Sequence, residues 1–145
     1  HRDQLKDTVI WNIEEGLKLT TLEIGNAESK RAQVFHNVRR FMETHEFMIF
    51  PVSQHPPFDV EQPYVTEING VEMDTYHRWM EVVIGGTLAG LPVVNVPVGF
   101  DPRGRPMGMQ VMGPFGEDQK VLEFAMAYER VTDHLDQRPE LPDAI

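Results

Sequence analysis

GGTLAGLPVVNVPVGFDPRGRPMGMQVMGP, residues 85–114, decides how this chain is read. Val93-Val94-Asn95-Val96-Pro97-Val98 and Met107-Gly108-Met109-Gln110-Val111-Met112 are short, apolar and free of charge. Between them stands Asp101-Pro102-Arg103-Gly104. Proline presets φ at one central position of a turn, and glycine takes backbone angles that a Cβ forbids. The pattern predicts a β-hairpin whose two strands are largely buried. Gly99, Gly108 and Gly113 mark places where other groups come close to the backbone. The glycines at Gly85, Gly86 and Gly90 are expected to break the preceding helix and turn the chain into the hairpin.

Outward from the hairpin, helices and strands alternate. Val9, Ile10, Ile13 and Leu17 recur at helical spacing, so Leu5 to Leu19 reads as a helix. Thr20-Thr21-Leu22-Glu23 is a capping box, and a second helix is expected from there to about Glu46. Its stripe Arg31, Phe35, Val38, Met42 is amphipathic and needs a sheet or helix to lie on. Phe47-Met48-Ile49-Phe50, ended by Pro51, predicts a short buried strand. Residues 52–70 are proline-rich and aperiodic and predict a long loop, a length that in compact domains is usually functional or disordered. A helix is expected from Met73-Asp74, with Asp74 as N-cap, to about Ile84. A last helix, capped by Asp118, carries Val121, Leu122, Ala125, Tyr128 and Val131 on one face. The segment 137–145 reads as an irregular tail. The whole is an α/β arrangement, one unit over 1–145, with helices packed on a sheet.

Composition narrows the function. The 145 residues carry a net charge of −10, which disfavours a nucleic-acid-binding surface. There is no cysteine, so disulfides, thiolate nucleophiles and Cys-ligated metals are excluded. No apolar run is long enough to span a bilayer, and residues 1–7 are polar, without a signal-peptide core. These features fit a cytoplasmic protein. The start without methionine suggests a truncated or processed chain.

Few residues could carry chemistry. The two serines are Ser29, within a helix, and Ser53, in the proline-rich loop two residues from His55. Residues two apart in an extended loop need not touch, so a polar loop is the simpler reading. Asp74, His77 and Glu81 share one face of the expected helix, but charged residues at that spacing are usually a solvated face, and no third-ligand motif supports a metal. The glycine cluster at 85–90 follows a helix, lacks a lysine, and fails both nucleotide-loop patterns; it could still present backbone N–H groups to a ligand, but a close-packed turn is the simpler reading. No catalytic residue, metal or cofactor follows from these patterns.

The motifs taken together resemble the C-terminal portion of the amidase signature family. The resemblance rests on Thr87-Leu-Ala-Gly-Leu-Pro-Val-Val-Asn-Val-Pro-Val-Gly99, then Gly104-Arg-Pro-Met-Gly-Met-Gln-Val-Met-Gly-Pro114, then an Asp118-capped helix ending in Ala127-Tyr128-Glu129. Upstream, the order of long helix, strand to Pro51, Pro56-Pro57-Phe58 loop and Trp79 helix also matches. Two positions depart from the family pattern: Thr87 stands where an Asn is usual, and Val52 where a Thr is frequent. The resemblance implies part of a mixed sheet with packed helices. It also implies amide-bond hydrolysis by a Ser-Ser-Lys triad placed upstream of the matched part. No Gly-Ser-Ser occurs here, and Lys6, Lys18, Lys30 and Lys120 have no such partners. On this resemblance the segment supplies one wall of a pocket for a small amide substrate, with Val52, Trp79 and Thr87 as wall residues. Core packing accounts for each of them equally well. The alternative is a non-catalytic binding or assembly domain on a related fold, using the loop and hairpin for a partner or for self-association into a homo-oligomer.

Overall fold

A computed structural model describes residues 1–138. A single 3-10 turn, Arg2–Gln4, precedes α1 (Asp7–Lys18) and α2 (Thr21–Phe41). Then come β1 (Met48–Pro51), the short hairpin β2 (Glu67–Ile68) and β3 (Val71–Glu72), and α3 (Glu81–Ala89). The chain closes with β4 (Val93–Phe100), β5 (Pro106–Met112) and α4 (Asp118–Val131).

The hairpin is present as expected. β4 and β5 pair antiparallel, and β1 adds to the other side of β5, giving the order β1-β5-β4. Every strand pairing among the described residues is antiparallel, so the mixed character expected of the sheet does not show within this chain. At the turn, Asp101 Oδ1 accepts the backbone N–H of Arg103 and of Arg105, each at 2.9 Å. Gly104 sits at φ 75°, where a Cβ would be strained. The register slips between Pro97 and Gly99, a bulge that accommodates a proline without an N–H inside a strand.

Expectations about burial need correction. β1 and β4 are not buried strands. Ile49 and Phe50 are exposed, and β4 alternates, with Val93, Val98 and Phe100 open and Val96 closed. Only the second half of β5, Gln110-Val111-Met112, is buried, because it is the central strand and has a neighbour on both sides. The core is correspondingly small: Val65, Met73, Ala89, Val96, Val111, Met112 and Val121. The chain exposes 11,181 Å², against about 7,600 Å² for a compact monomer of this size. Leu17, Leu22 and Ile24 lie open along α1 and α2. Apolar stripes of that kind are built to be covered.

Four helix boundaries differ from expectation. The Thr20–Glu23 capping box forms as expected, with both reciprocal hydrogen bonds. α2 nevertheless stops at Phe41, short of Glu46. There the His45 ring stacks on Phe41, centroids 3.9 Å apart, and His45 Nδ1 and Thr44 Oγ1 both bond the Phe41 carbonyl. These side chains satisfy an end carbonyl that another helical turn would have used. Residues 74–80 form turns and one 3-10 turn, Arg78–Met80, so Asp74 caps no helix. α3 begins at Glu81 and runs through Gly85-Gly86 to Ala89, ending at Gly90 with φ 63°. Packing overrides the poor helix propensity of glycine. A Cβ on Gly86 would stand 2.9 Å from Val93 Cγ2 and 3.4 Å from Met112 Sδ, so only glycine lets α3 lie this close to the sheet. For α4, the N-cap is Glu117 and Asp118 is the first helical residue. Gln137 and Arg138 are irregular, and the rest of the expected tail lies outside the described residues.

Candidate functional site

The candidate site that the sequence points to is a cleft of about 190 Å³ between the loop that follows β1 and the start of β5. Its position is set by backbone. The Val52 N–H donates to the Gly108 carbonyl at 3.2 Å, extending the β1–β5 ladder by one bond. Gly108 has no Cβ, and one would stand 3.1 Å from Val52 Cγ2; the small residue lets the loop lie on the strand. Prolines 51, 56, 57 and 106 stiffen the walls. Phe58 closes over Trp79 edge to face, ring centroids 5.5 Å apart and planes at 90°.

Two long-range ties hold the loop. Gln54 Oε1 accepts the Val82 N–H at 2.9 Å and thereby caps α3, whose own N-cap, Met80, offers no side-chain bond. Arg105, 48 residues further on, donates from Nη1 to the Pro57 carbonyl at 2.6 Å. Its guanidinium is in turn held by Asp101, with Nη2 to Oδ2 at 2.6 Å. The Arg105 side-chain bond, followed by its backbone N–H, keeps the Asp101 carboxyl below its ordinary pKa. The hairpin turn thus acts as a bracket for the proline-rich loop.

Beneath the cleft, Gln110 is 3% exposed and is the buried polar residue of the core. Its Nε2 donates to the Pro51 carbonyl at 2.8 Å and to the Val82 carbonyl at 3.0 Å. One side chain therefore joins β5 to the end of β1 and to α3.

Of the residues predicted to line a pocket, Val52 and Trp79 meet at this cleft. Thr87 does not join them. It lies exposed on α3, two turns beyond Trp79, and its carbonyl accepts the Gly90 N–H at the helix end. Spacing alone missed Phe58, Arg105 and Gln110. The Pro56-Pro57-Phe58 run was the available signal for the first; the other two act through chain-distant carbonyls that no local pattern reveals.

The remaining candidates resolve as structure. Ser53 Oγ donates to the His55 carbonyl at 2.7 Å and accepts the His55 N–H at 3.2 Å, so it engages the backbone of His55 and not its imidazole. The imidazole Nδ1 donates instead to the Pro56 carbonyl. Ser29 Oγ donates to the Gly25 carbonyl, one helical turn back. Lys18 pairs with Glu15 and Lys120 with Glu46, leaving no Ser–Lys pair among the bonds of the described residues. Asp74 and Glu81 do not share a helix face; Arg78 lies between them, 3.9 Å from one and 3.8 Å from the other. Among the described residues no cluster of three His, Asp or Glu side chains could hold a metal. Gly85 and Gly86 lie beyond the first four residues of α3, so their N–H groups are used within the helix and cannot cradle an anion. No helix among the described residues is long and apolar enough to cross a membrane.

Comparison with known proteins agrees with this architecture. The family model described as Amidase matches residues 2–122. The chain is 32% identical over 114 residues to a glutamyl-tRNA(Gln) amidotransferase subunit of Halorhodospira halophila (strain DSM 244 / SL1), covering 79% of this chain and 22% of that protein. It is 25% identical over 139 residues to an acylamidase of Rhodococcus erythropolis, covering 95% of this chain and 29% of the relative. A bacterial aryl acylamidase of the amidase signature family superposes with a TM-score of 0.81 at 22% identity, covering 94% of this chain and 28% of that structure. The chain thus spans less than a third of the length of each of these proteins. The expected α/β fold and the family reading both stand, and the chain belongs to the amidase family.

Proposed function

We propose that this chain is the C-terminal part of an amide hydrolase whose serine nucleophile, bridging serine and base lysine lie outside it. The observation that carries this reading is the state of its own hydroxyls. Ser29 and Ser53 are both committed to backbone carbonyls, and neither is bonded to a lysine or an imidazole nitrogen. A serine nucleophile needs a base within hydrogen-bond reach. The complete enzyme would cleave a carbon–nitrogen amide bond by serine attack, with backbone N–H groups stabilising the oxyanion. This segment would contribute a pocket wall for a small amide, with Val52 and Trp79 on the cleft and Thr87 as an exposed hydroxyl near the end of α3. Its apolar stripes would pack on the remainder of the enzyme. The cysteine-free composition supports a cytoplasmic setting.

The test is kinetic. In the full-length protein that carries this sequence, Ser29→Ala and Ser53→Ala should each leave kcat for amide hydrolysis within about twofold of the parent, since a catalytic nucleophile would cost many orders of magnitude. A collapse of kcat in either variant, at unchanged stability, sinks the proposal.

A further inference from the structure

We infer that a second pocket, between α1 and the segment 74–76, binds an organic ammonium ion whose charge is spread over alkyl groups. The pocket has a volume of about 260 Å³. It shares no lining residue with the Val52–Trp79 cleft, so the inference does not rest on the reading of that cleft. Its walls are of two kinds. Trp11, Tyr64 and Tyr76 supply aromatic rings, and Asp7 and Asp74 supply carboxylates; two threonines complete the lining. No Lys or Arg takes part. A cation over an aromatic face is drawn to the ring quadrupole, and nearby carboxylates add to the same pull. An anion would meet repulsion there, and a neutral apolar group would strip water from two carboxylates with nothing in return.

Three stretches of chain build the pocket. Asp7 and Trp11 are four residues apart on α1 and so share one face. Tyr64, in the loop before β2, meets Tyr76 edge to face, with ring centroids 5.8 Å apart and planes at 88°, so the two rings form a corner. His77 links that corner to Trp11: its ring centroid is 5.4 Å from that of Tyr76 and 6.0 Å from that of Trp11. The rings therefore form a continuous row that exists before any ligand arrives, which lowers the ordering cost of binding. Trp11 is exposed, so core packing does not explain its position. The carboxylates are open to a cation as well. Asp7 is in no ion pair among the described residues. Asp74 faces Arg78 at 3.9 Å, beyond hydrogen-bond reach, and Arg78 lies outside the lining. Two carboxylates without a third ligand suit an organic cation better than a metal ion.

Choline is a suitable probe, and tert-butylethanol is its neutral counterpart, with carbon in place of the charged nitrogen. Calorimetric titration of the full-length protein should show choline binding at least about tenfold more tightly than the alcohol, and added salt should weaken choline alone. Trp11→Leu keeps a good helix former and removes one ring, so choline affinity should fall about 2- to 5-fold, the worth of one exposed cation–π contact. Asp7→Asn combined with Asp74→Asn should weaken choline about 2- to 10-fold and leave the alcohol unchanged, which a mere distortion of the pocket would not do. Both acids are exposed, so this double variant keeps the test open should Trp11→Leu fail to fold. No binding at millimolar choline, or equal binding of choline and the alcohol, overturns the inference. Choline binding indifferent to both variants overturns it too.

Discussion

Gln110→Leu should destabilise the protein by about 1–3 kcal/mol, from a net worth of about 0.5–1.5 kcal/mol for each of the two hydrogen bonds that its buried amide makes. Gln110 is 3% exposed, so water does not readily replace the lost amide. Its Nε2 serves the Pro51 and Val82 carbonyls at once, and these belong to two different elements that lean on β5. Leucine nearly matches glutamine in volume, which isolates the hydrogen bonds from any packing loss. Urea unfolding would show the loss as a lower midpoint at unchanged slope. Val82 also supplies the N–H that Gln54 caps, so the start of α3 and the wall that carries Trp79 should loosen together. A loss below about 0.5 kcal/mol would mean that the two bonds carry little, since that is the ordinary effect of a surface change.

Met112→Ala should cost about 2–5 kcal/mol by leaving a cavity in a core too small to absorb it. Met112 is 2% exposed and lies opposite both Met48 and Val93 in the sheet. Its Sδ and Cε fill the space above Gly86, where α3 comes closest. The contrasting change is Met126→Ala, the same truncation at a side chain that is 53% exposed on α4. It should cost no more than about 0.5 kcal/mol. Unfolding midpoints of the two variants, measured side by side, decide whether burial or the methionine itself matters. Equal losses would show that the small core described above is not where the stability resides.

How much of this was legible in the sequence depends on how local the cause is. The β4–β5 hairpin follows from two uncharged runs around Asp101-Pro102-Arg103-Gly104, and the α2 start from Thr20 and Glu23; both are decided within a few residues. The close approaches read from glycines also hold at Gly108, against Val52, and at Gly113, where a Cβ would stand 2.6 Å from Val121 Cγ1. The continuation of α3 through Gly85-Gly86 was not legible. It depends on Val93 and Met112 occupying the space that a larger residue would need. Apolar content likewise misled about β1 and β4, because it records what a strand can bury and not what lies above it within this chain. At the candidate site, Val52 and Trp79 were reachable through family resemblance. The bracket that Arg105 forms on Pro57 was not, since it joins a turn to a loop 48 residues away.

Labelling of the full-length protein with a serine-directed fluorophosphonate, followed by peptide mapping of the modified residue, decides whether the nucleophile lies outside this chain. A single activity-dependent adduct is expected on a serine outside residues 1–145, with Ser29 and Ser53 unmodified. An adduct on Ser53 or Ser29, formed in step with loss of amide hydrolysis, would contradict the placement of the nucleophile elsewhere.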